Sequence, residues 1–195
     1  MNTPAHVIIN LTLINTATKQ RRVACFWAVM IGALLPDIPM FIFYLVEAII
    51  LGKSQAELWG SLYFLPAWQN FFDAFNSIPF ILVGFAIAAY KQSTVGVCFF
   101  LSMLLHVALD LPLHHDDGHH HFFPFSSFRF DSPISYWDRR HYGGIVATLE
   151  ALATVAGCVI LYLRASSMSA KITSAVVGTT YTVSLAAANL GWLFS

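Results

Sequence analysis

Long apolar blocks constrain the fold of this chain more than any other feature. Residues 23–51 carry only two charged side chains, Asp37 and Glu47. Four further apolar blocks follow at 76–90, 94–111, 144–163 and 172–194. A helix of about 20 apolar residues crosses a bilayer, and only 10% of this chain is charged against about 25% in soluble domains. The sequence therefore predicts an all-α, multi-pass transmembrane bundle of about five spans, with residues 1–195 forming a single membrane domain.

The N-terminal segment is apolar but shorter than a span. Residues 5–18 form a helix candidate of 14 residues, which is too short to cross the bilayer. Thr3 and Pro4 are suited to its cap and its first position, and the basic residues between Lys19 and Arg22 end it. We expect a half-embedded helix here.

The distribution of basic residues predicts an orientation. Six Lys and Arg side chains fall on one side of the predicted spans and four on the other, which by the positive-inside rule makes the first side cytoplasmic. The polar, His-rich segment 112–143 is then on the non-cytoplasmic side. The formal net charge of zero does not favour a nucleic-acid partner. The lipid bilayer is the expected partner, and the sequence does not determine an oligomeric state.

Two predicted helical hairpins bring ionisable residues to one depth. In the first, His6 and Asp37 are about equally far from the turn near residue 21, roughly 23 Å along each helix. In the second, Asp73 and Asp110 are about equally far from the turn near residue 92. His106 shares a helix face with Asp110, because the two are four residues apart.

Ionisable groups inside a bilayer are unfavourable unless they are paired or ligated. Imidazole and carboxylate ligands suit zinc, with manganese or iron as alternatives. We therefore predict a divalent metal site. Its ligands are His6, Asp37, His106, Asp110 and His114. Each residue also has a plain structural interpretation: Asp37 and Asp73 could cap helices, His106 and Asp110 could pair only with each other, and His6 could be an interfacial, hydrogen-bonded histidine.

The polar segment contains five histidines and two aspartates within residues 114–121. Such clusters bind metal ions, although the part at 119–121 could equally be a solvated loop. Further on, Arg129, Arg139 and His141 are candidates for binding a phosphate or carboxylate of a substrate. The two arginines could instead pair with Asp131 and Asp138. Glu150 is a candidate partner for a ligand or an interfacial carboxylate.

Four features together resemble the YdjM-like family of membrane-bound, metal-dependent hydrolases. They are the early His6, the run Gly32-Ala33-Leu34-Leu35-Pro36-Asp37, the helix Leu105-His106-Val107-Ala108-Leu109-Asp110, and the turn Phe123-Pro124-Phe125-Ser126. The resemblance covers roughly residues 1–130. It implies a bacterial inner-membrane protein with a distant similarity to zinc-dependent phospholipase C.

The chain departs from that family at one motif. Where the family has HRGxTHS, this chain has Phe72-Asp73-Ala74-Phe75-Asn76-Ser77. Asp73, Asn76 and Ser77 are the side chains there that could substitute for the missing histidines. The departure bears on catalysis more than on metal binding.

Three functions remain open from the sequence. The first is a hydrolase that acts on a lipid or lipid-linked phosphoester or ester, with zinc activating a water molecule and Asp73 or Asp116 as general base. The second is a non-catalytic membrane protein with a structural metal or polar network. The third is a metal-ion transporter, which is disfavoured because the cytoplasmic halves of 76–90 and 94–111 lack acids and histidines.

Overall fold

All regular structure that the computed structural model describes, over residues 1–18 and 23–193, is helical. The basic cluster at 19–22, predicted to end the first helix, lies outside the described residues, as do 194 and 195. The helices are α1 (Thr3–Thr18), α2 (Val23–Leu34), α3 (Ile38–Tyr44), α4 (Gln55–Glu57), α5 (Pro66–Phe75), α6 (Ile78–Tyr90), α7 (Thr94–Asp110), α8 (Gly143–Arg164) and α9 (Met168–Leu193). Short 3₁₀ turns occupy Leu35–Asp37, Leu111–Leu113 and Arg139–His141, and π-helical turns occupy Leu45–Ile50 and Leu58–Leu62.

Four described segments are long and apolar enough to cross a membrane. They are Val23–Ile50, Pro66–Tyr90, Thr94–Leu113 and Gly143–Arg164. The prediction of a multi-pass helical membrane protein is confirmed at this level. The fifth predicted span corresponds to α9, which is helical but is not among the four, because its Ser, Thr and Lys residues lower its hydropathy. The N-terminal helix α1 exists with Thr3 and Pro4 in its first turn.

The segment predicted as one span over 23–51 departs from regular α-helix at its prolines, as expected. Pro36 and Pro39 interrupt regular α-helical hydrogen bonding, and a 3₁₀ turn at Leu35–Asp37 joins α2 to α3. The polypeptide then continues into a π-helical turn that ends at Ile50.

Helices α2 and α7 contact each other at a constant offset in residue number. Ser102 Oγ donates to the carbonyl of Val29, and His106 Nδ1 contacts the carbonyl of Ala33, with an offset of 73 residues in both pairs. The close approach requires Gly32, because a Cβ there would overlap the carbonyl oxygen of Phe99. In lipid, helices associate through such small residues and interhelical hydrogen bonds. The same register places Asp37 opposite Asp110.

The stretch 52–74, interpreted from its aromatics as a loop or interfacial segment, is largely helical. It contains α4, a π-helical turn and α5, which begins at Pro66. Its apolar side chains surround Phe43 and Phe72, both buried. Glu47, an isolated acid in an apolar block, accepts a hydrogen bond from Trp68 Nε1 at 2.9 Å. The aromatic residues of this stretch therefore belong to a packed cluster. Interpreting the stretch as a loop does not predict that cluster.

The polar segment folds back over the end of α7 and the junction of α5 with α6. Ser132 N donates to the carbonyl of His114, and Tyr136 N donates to that of Leu113. Ser77 Oγ donates to the carbonyl of Phe123 at 2.6 Å. This cover places the His-rich part of the sequence directly above the last turn of α7.

Candidate metal centre

Two helices deliver the three central side chains. His106 and Asp110 lie one turn apart on α7, and His6 comes from α1, where its ring stacks on that of His106 at 3.6 Å between centroids. Both histidines are fully buried. One nitrogen or oxygen from each of these three residues lies within 4.8 Å of those of the other two.

The backbone determines the tautomer of His106. Its Nδ1 lies 2.8 Å from the carbonyl oxygen of Ala33, which can only accept, so Nδ1 carries the proton in the neutral ring. The lone pair of Nε2 then points between Asp110 Oδ2 at 3.3 Å and Asp37 Oδ1 at 3.5 Å. This Nε2 is buried and has no hydrogen-bond partner. A carbonyl behind one nitrogen is the usual device that orients a metal-binding histidine.

Asp110 is the most connected carboxylate of the centre. Its Oδ1 lies 2.6 Å from the amino group of Met1 and 2.9 Å from His6 Nε2. Its Oδ2 faces His106 and, at 3.7 Å, His114 Nε2. A carboxylate that is only 4% exposed requires such compensation, since an unpaired buried charge is strongly destabilising.

Asp37 does not act as a helix cap. Its side chain makes no capping hydrogen bond to α3. Instead its Oδ2 accepts from Thr3 Oγ1 at 2.5 Å, and its Oδ1 faces His106. The alternative interpretation of Asp37 as a cap is therefore wrong.

His114 extends the centre outwards. It lies between two carboxylates, with Nε2 near Asp110 and Nδ1 3.0 Å from Asp117 Oδ1. Burial acts to lower the pKa of His114, but the neighbouring carboxylates of Asp110 and Asp117 outweigh burial and raise the pKa to about 9. Burial alone acts to raise the pKa of Asp117, yet the neighbouring imidazole of His114 holds the pKa below its usual value.

The structure thus brings together all five predicted metal ligands, on four segments of the chain. The donor set of imidazole nitrogens and carboxylate oxygens suits zinc. The unpartnered, buried Nε2 of His106 fits a ligand atom, because a buried nitrogen without a partner is otherwise unfavourable. On these observations the residues present fit a divalent ion.

Asp73 lies apart from this group. It is fully buried in α5, and its carboxylate accepts from His120 N at 2.8 Å and contacts His120 Nδ1 at 2.6 Å. It caps no helix, since Ser77 is the N-cap of α6. The side chain of His121 is also buried, against the carbonyl of Asn76. The interpretation of 119–121 as a solvated loop is therefore wrong.

A cavity of about 690 Å³ opens beside the centre. Asp37, Asp110 and His114 reach it from the centre, and Asp116 reaches it from the polar segment. Many of its other lining residues are aromatic. Among them are Phe41, Trp59, Tyr63, Phe64, Phe72, Tyr136 and Trp137. Asp73 is not among the described residues that line it.

The predicted substrate-binding residues Arg129 and His141 contact different partners. Arg129 donates to Gln69 Oε1 at 2.6 Å, so its predicted pairing with Asp131 is replaced by an amide contact. His141 Nδ1 lies 2.9 Å from Asp138 Oδ2, and Arg140 forms an ion pair with the same carboxylate. Arg139 lines a second cavity of about 680 Å³, which shares Tyr136 and Trp137 with the first.

Sequence reasoning missed Asn2, which supports the centre, whereas His119 belonged to the His-rich cluster predicted to bind metal. Asn2 donates to Glu150 through its backbone and its side chain, and this anchors the segment that carries His6 to α8. His119 lines the cavity, and burial lowers its pKa to about 3, so it is neutral. Asn2 could have been found from the sequence, because it lies four residues before His6, which is the spacing of one helical turn.

The family described as YdjM inner membrane protein matches residues 1–191. The match extends well beyond the stretch that carries the sequence resemblance, and it includes α8 and most of α9. No curated protein and no solved structure matches the chain.

Proposed function

Because the chain belongs to the YdjM inner membrane protein family, we propose that it is an integral membrane, metal-dependent hydrolase acting on a lipid or lipid-linked phosphoester or ester at the membrane surface. The proposal depends chiefly on one observation. The Nε2 of His106 is fully buried without a hydrogen-bond partner, and it lies 3.3 Å from Asp110 and 3.5 Å from Asp37, which come from different segments of the chain. A divalent ion between this nitrogen and the two carboxylates would balance their charge and satisfy the nitrogen.

In this proposal His6, His106, Asp37 and Asp110 hold the ion, and His114 completes the set or remains outside it. Zinc fits the mixed nitrogen and oxygen donors best, with manganese and iron as alternatives. A divalent ion there supplies Lewis acidity, which favours ionisation of water and polarises a phosphoryl or acyl oxygen. The stacked rings of His6 and His106 keep bulk water away from the inner side of the centre.

Asp116 is the better candidate for the general base. It is exposed and lines the cavity beside the centre, so its carboxylate can take a proton from an attacking water. Asp73 is fully buried, and its carboxylate is already occupied by His120. We therefore assign Asp73 to positioning the polar segment.

The cavity supports a substrate with an apolar part. Phe41, Trp59 and Phe64 line it and are about half exposed, which suits contact with acyl chains at the headgroup level. The polar end of the substrate would then face Asp37 and Asp110. On this arrangement the polar segment covers the centre on the non-cytoplasmic side.

The experiment that tests the proposal measures metal and turnover together. We expect the purified protein to contain about one zinc per chain by elemental analysis, and His106→Ala to lose it, because His106 is a central ligand. His115→Ala is the matched control, since His115 contacts the carbonyl of Ser132 and the ring of His141 instead. A His106→Ala protein with full metal content would refute the site.

A non-catalytic role is the second candidate, and one observation favours it. Asp110 already has compensating contacts from the Met1 amino group and His6, so the charge of its carboxylate is largely balanced without an ion. This candidate predicts bound metal, or none, with no turnover of phosphodiester or ester lipids. Metal-dependent hydrolysis that is lost in His106→Ala would exclude it.

A further inference from the structure

Residues 122–130 of the polar segment, which we call the phenylalanine run, present an apolar surface. The only charged side chain in the run is Arg129, and its guanidinium donates to Gln69 Oε1. Four of its aromatic side chains are at least 40% exposed, and they are Phe122, Phe125, Phe128 and Phe130. An apolar patch of this kind marks a surface that contacts a membrane or another protein.

The phenylalanine run is a compact, hydrogen-bonded turn. Phe125 N and Ser126 N donate to the carbonyl of Phe122, and Phe128 N donates to Ser126 Oγ at 3.1 Å. The exposed rings are therefore presented by a folded backbone. Backbone groups that are already hydrogen-bonded within the turn lose little when water is replaced by lipid.

The phenylalanine run is joined to the first turn of α6. Ile78 N donates to the carbonyl of His121 at 2.8 Å, and Ser77 Oγ donates to that of Phe123. The ring of Phe123 also contacts that of Phe80, with centroids 6.3 Å apart. Four large apolar side chains of α6 are about half exposed, and they are Phe80, Leu82, Val83 and Ile87. The run therefore adjoins the outer apolar surface of a segment that is long and apolar enough to cross a membrane.

The length of α6 places this junction at the depth of the membrane. The helix has 13 residues, which extend about 20 Å at 1.5 Å per residue. The hydrocarbon core of a bilayer is about 30 Å thick. If the turn after Tyr90 lies at one surface of the core, the first residue of α6 lies about 10 Å short of the other surface. A turn attached there has its rings near the boundary between acyl chains and headgroups, where aromatic side chains are favoured.

We propose that the exposed face of the phenylalanine run is embedded in the lipid leaflet on the side of the polar segment. Its partner is the boundary layer between acyl chains and headgroups, which supplies apolar contacts for the four rings. The exposed Asp131, which follows directly, marks the end of the embedded surface. Residues 112–143 are then anchored to the membrane by their own side chains and not only through the spans. The inference does not depend on metal or turnover, because no residue of the run belongs to the metal centre.

Spin labelling tests the location of the run. A nitroxide is attached to Phe125→Cys in the whole chain in phosphatidylcholine vesicles, and its collisions with oxygen, which is enriched in lipid, and with a water-soluble nickel chelate are measured. The matched control is Arg140→Cys, because the Arg140 side chain is 81% exposed. We expect an oxygen-to-nickel ratio several-fold higher at residue 125 than at residue 140. The unsubstituted protein gives the background signal, since Cys25, Cys98 and Cys158 are buried.

Two outcomes of the labelling would overturn the inference. A ratio at residue 125 equal to that at residue 140 would place the run in water. Low collision rates with both reagents at residue 125 would show that a second copy of the chain or another protein covers the run.

A second measurement uses the unsubstituted protein and so avoids any folding defect of a variant. Vesicles that contain phosphatidylcholine with a diazirine in the acyl chain are irradiated, and the cross-linked peptides are identified by mass spectrometry. We expect adducts within residues 122–130 and on α6, whose exposed apolar side chains provide the internal positive control. Adducts on α6 with none in the run would contradict the proposed anchoring.

Discussion

Two layers of the interface between α1, α2 and α7 have the same construction and different chemistry. In the deeper layer, Asn10 from α1 donates to Ser102, which donates to the carbonyl of Val29. One helical turn nearer the polar segment, His6 stacks on His106, which bonds the carbonyl of Ala33. The backbone arrangement is repeated, and only the donor atoms change.

The difference between the layers shows what makes a site. Both are fully buried and hydrogen-bonded across three helices. The deeper layer contains neutral side chains only, so it can join helices but cannot balance the charge of an ion. The upper layer adds Asp37 and Asp110 and leaves a nitrogen lone pair without a partner. Burial and packing are therefore common to both, and ionisable donors distinguish the centre.

The largest expected effect tests the charge of the upper layer. Asp110→Asn removes the charge that the Met1 amino group and His6 share, so those groups lose their buried counter-charge. We expect the free energy of unfolding to fall by about 3–5 kcal/mol, with loss of bound metal. Thermal unfolding in detergent and elemental analysis measure the two effects. A variant that keeps both its midpoint and its metal would show that the upper layer is no different from the deeper one.

An intermediate effect tests the register that the two layers share. Gly32→Ala places a Cβ against the carbonyl of Phe99 and 3.0 Å from Ser102 Cβ, so α2 must move away from α7. We expect a loss of about 1–3 kcal/mol in the free energy of unfolding, together with weaker metal binding, because the Ala33 carbonyl that orients His106 moves too. Denaturant titration with parallel metal analysis checks this.

The matched control for that substitution is Gly60→Ala. A Cβ at Gly60 meets no atom within 4 Å, so stability and metal content should be unchanged. If the two glycine variants behave alike, the close approach of α2 and α7 is not what positions the centre.

The smallest expected effect tests whether the deeper layer is only structural. Ser102→Ala removes the hydroxyl bond to Val29, while Asn10 keeps its bond to the Ser102 carbonyl at 2.9 Å. We expect a loss of about 0.5–1.5 kcal/mol in thermal or denaturant unfolding and full metal content. Loss of metal in this variant would join the two layers into one functional unit.

Much of the helical architecture could be predicted from the chain alone, because lipid requires long apolar helices. The segments around 94–111 and 144–163 match α7 and α8 closely. The stretch 52–74 was interpreted as a loop or an interfacial segment, and the loop alternative was wrong, since most of the stretch is helical. Only contacts such as that of Trp68 with Glu47 show that its aromatic residues form a packed cluster.

The candidate centre was predicted better than its surroundings. Depth along two hairpins placed His6 near Asp110, and i, i+4 spacing placed His106 beside it. Asp73 was included for the same depth, but its side chain faces His120. Depth gives the level of a residue in the bilayer, whereas the direction of the side chain depends on helix rotation.

The sequence by itself determined that this chain is a helical membrane protein and that its acids and histidines gather at one level. Charge is too unfavourable in lipid to be distributed at random, so a linear pattern is sufficient for that conclusion. The tertiary structure alone decided which nitrogen of His106 lacks a partner and which acids line the cavity. Those facts depend on the register of α2 against α7 and on how residues 112–143 fold back, and both are set by contacts between residues far apart in the chain.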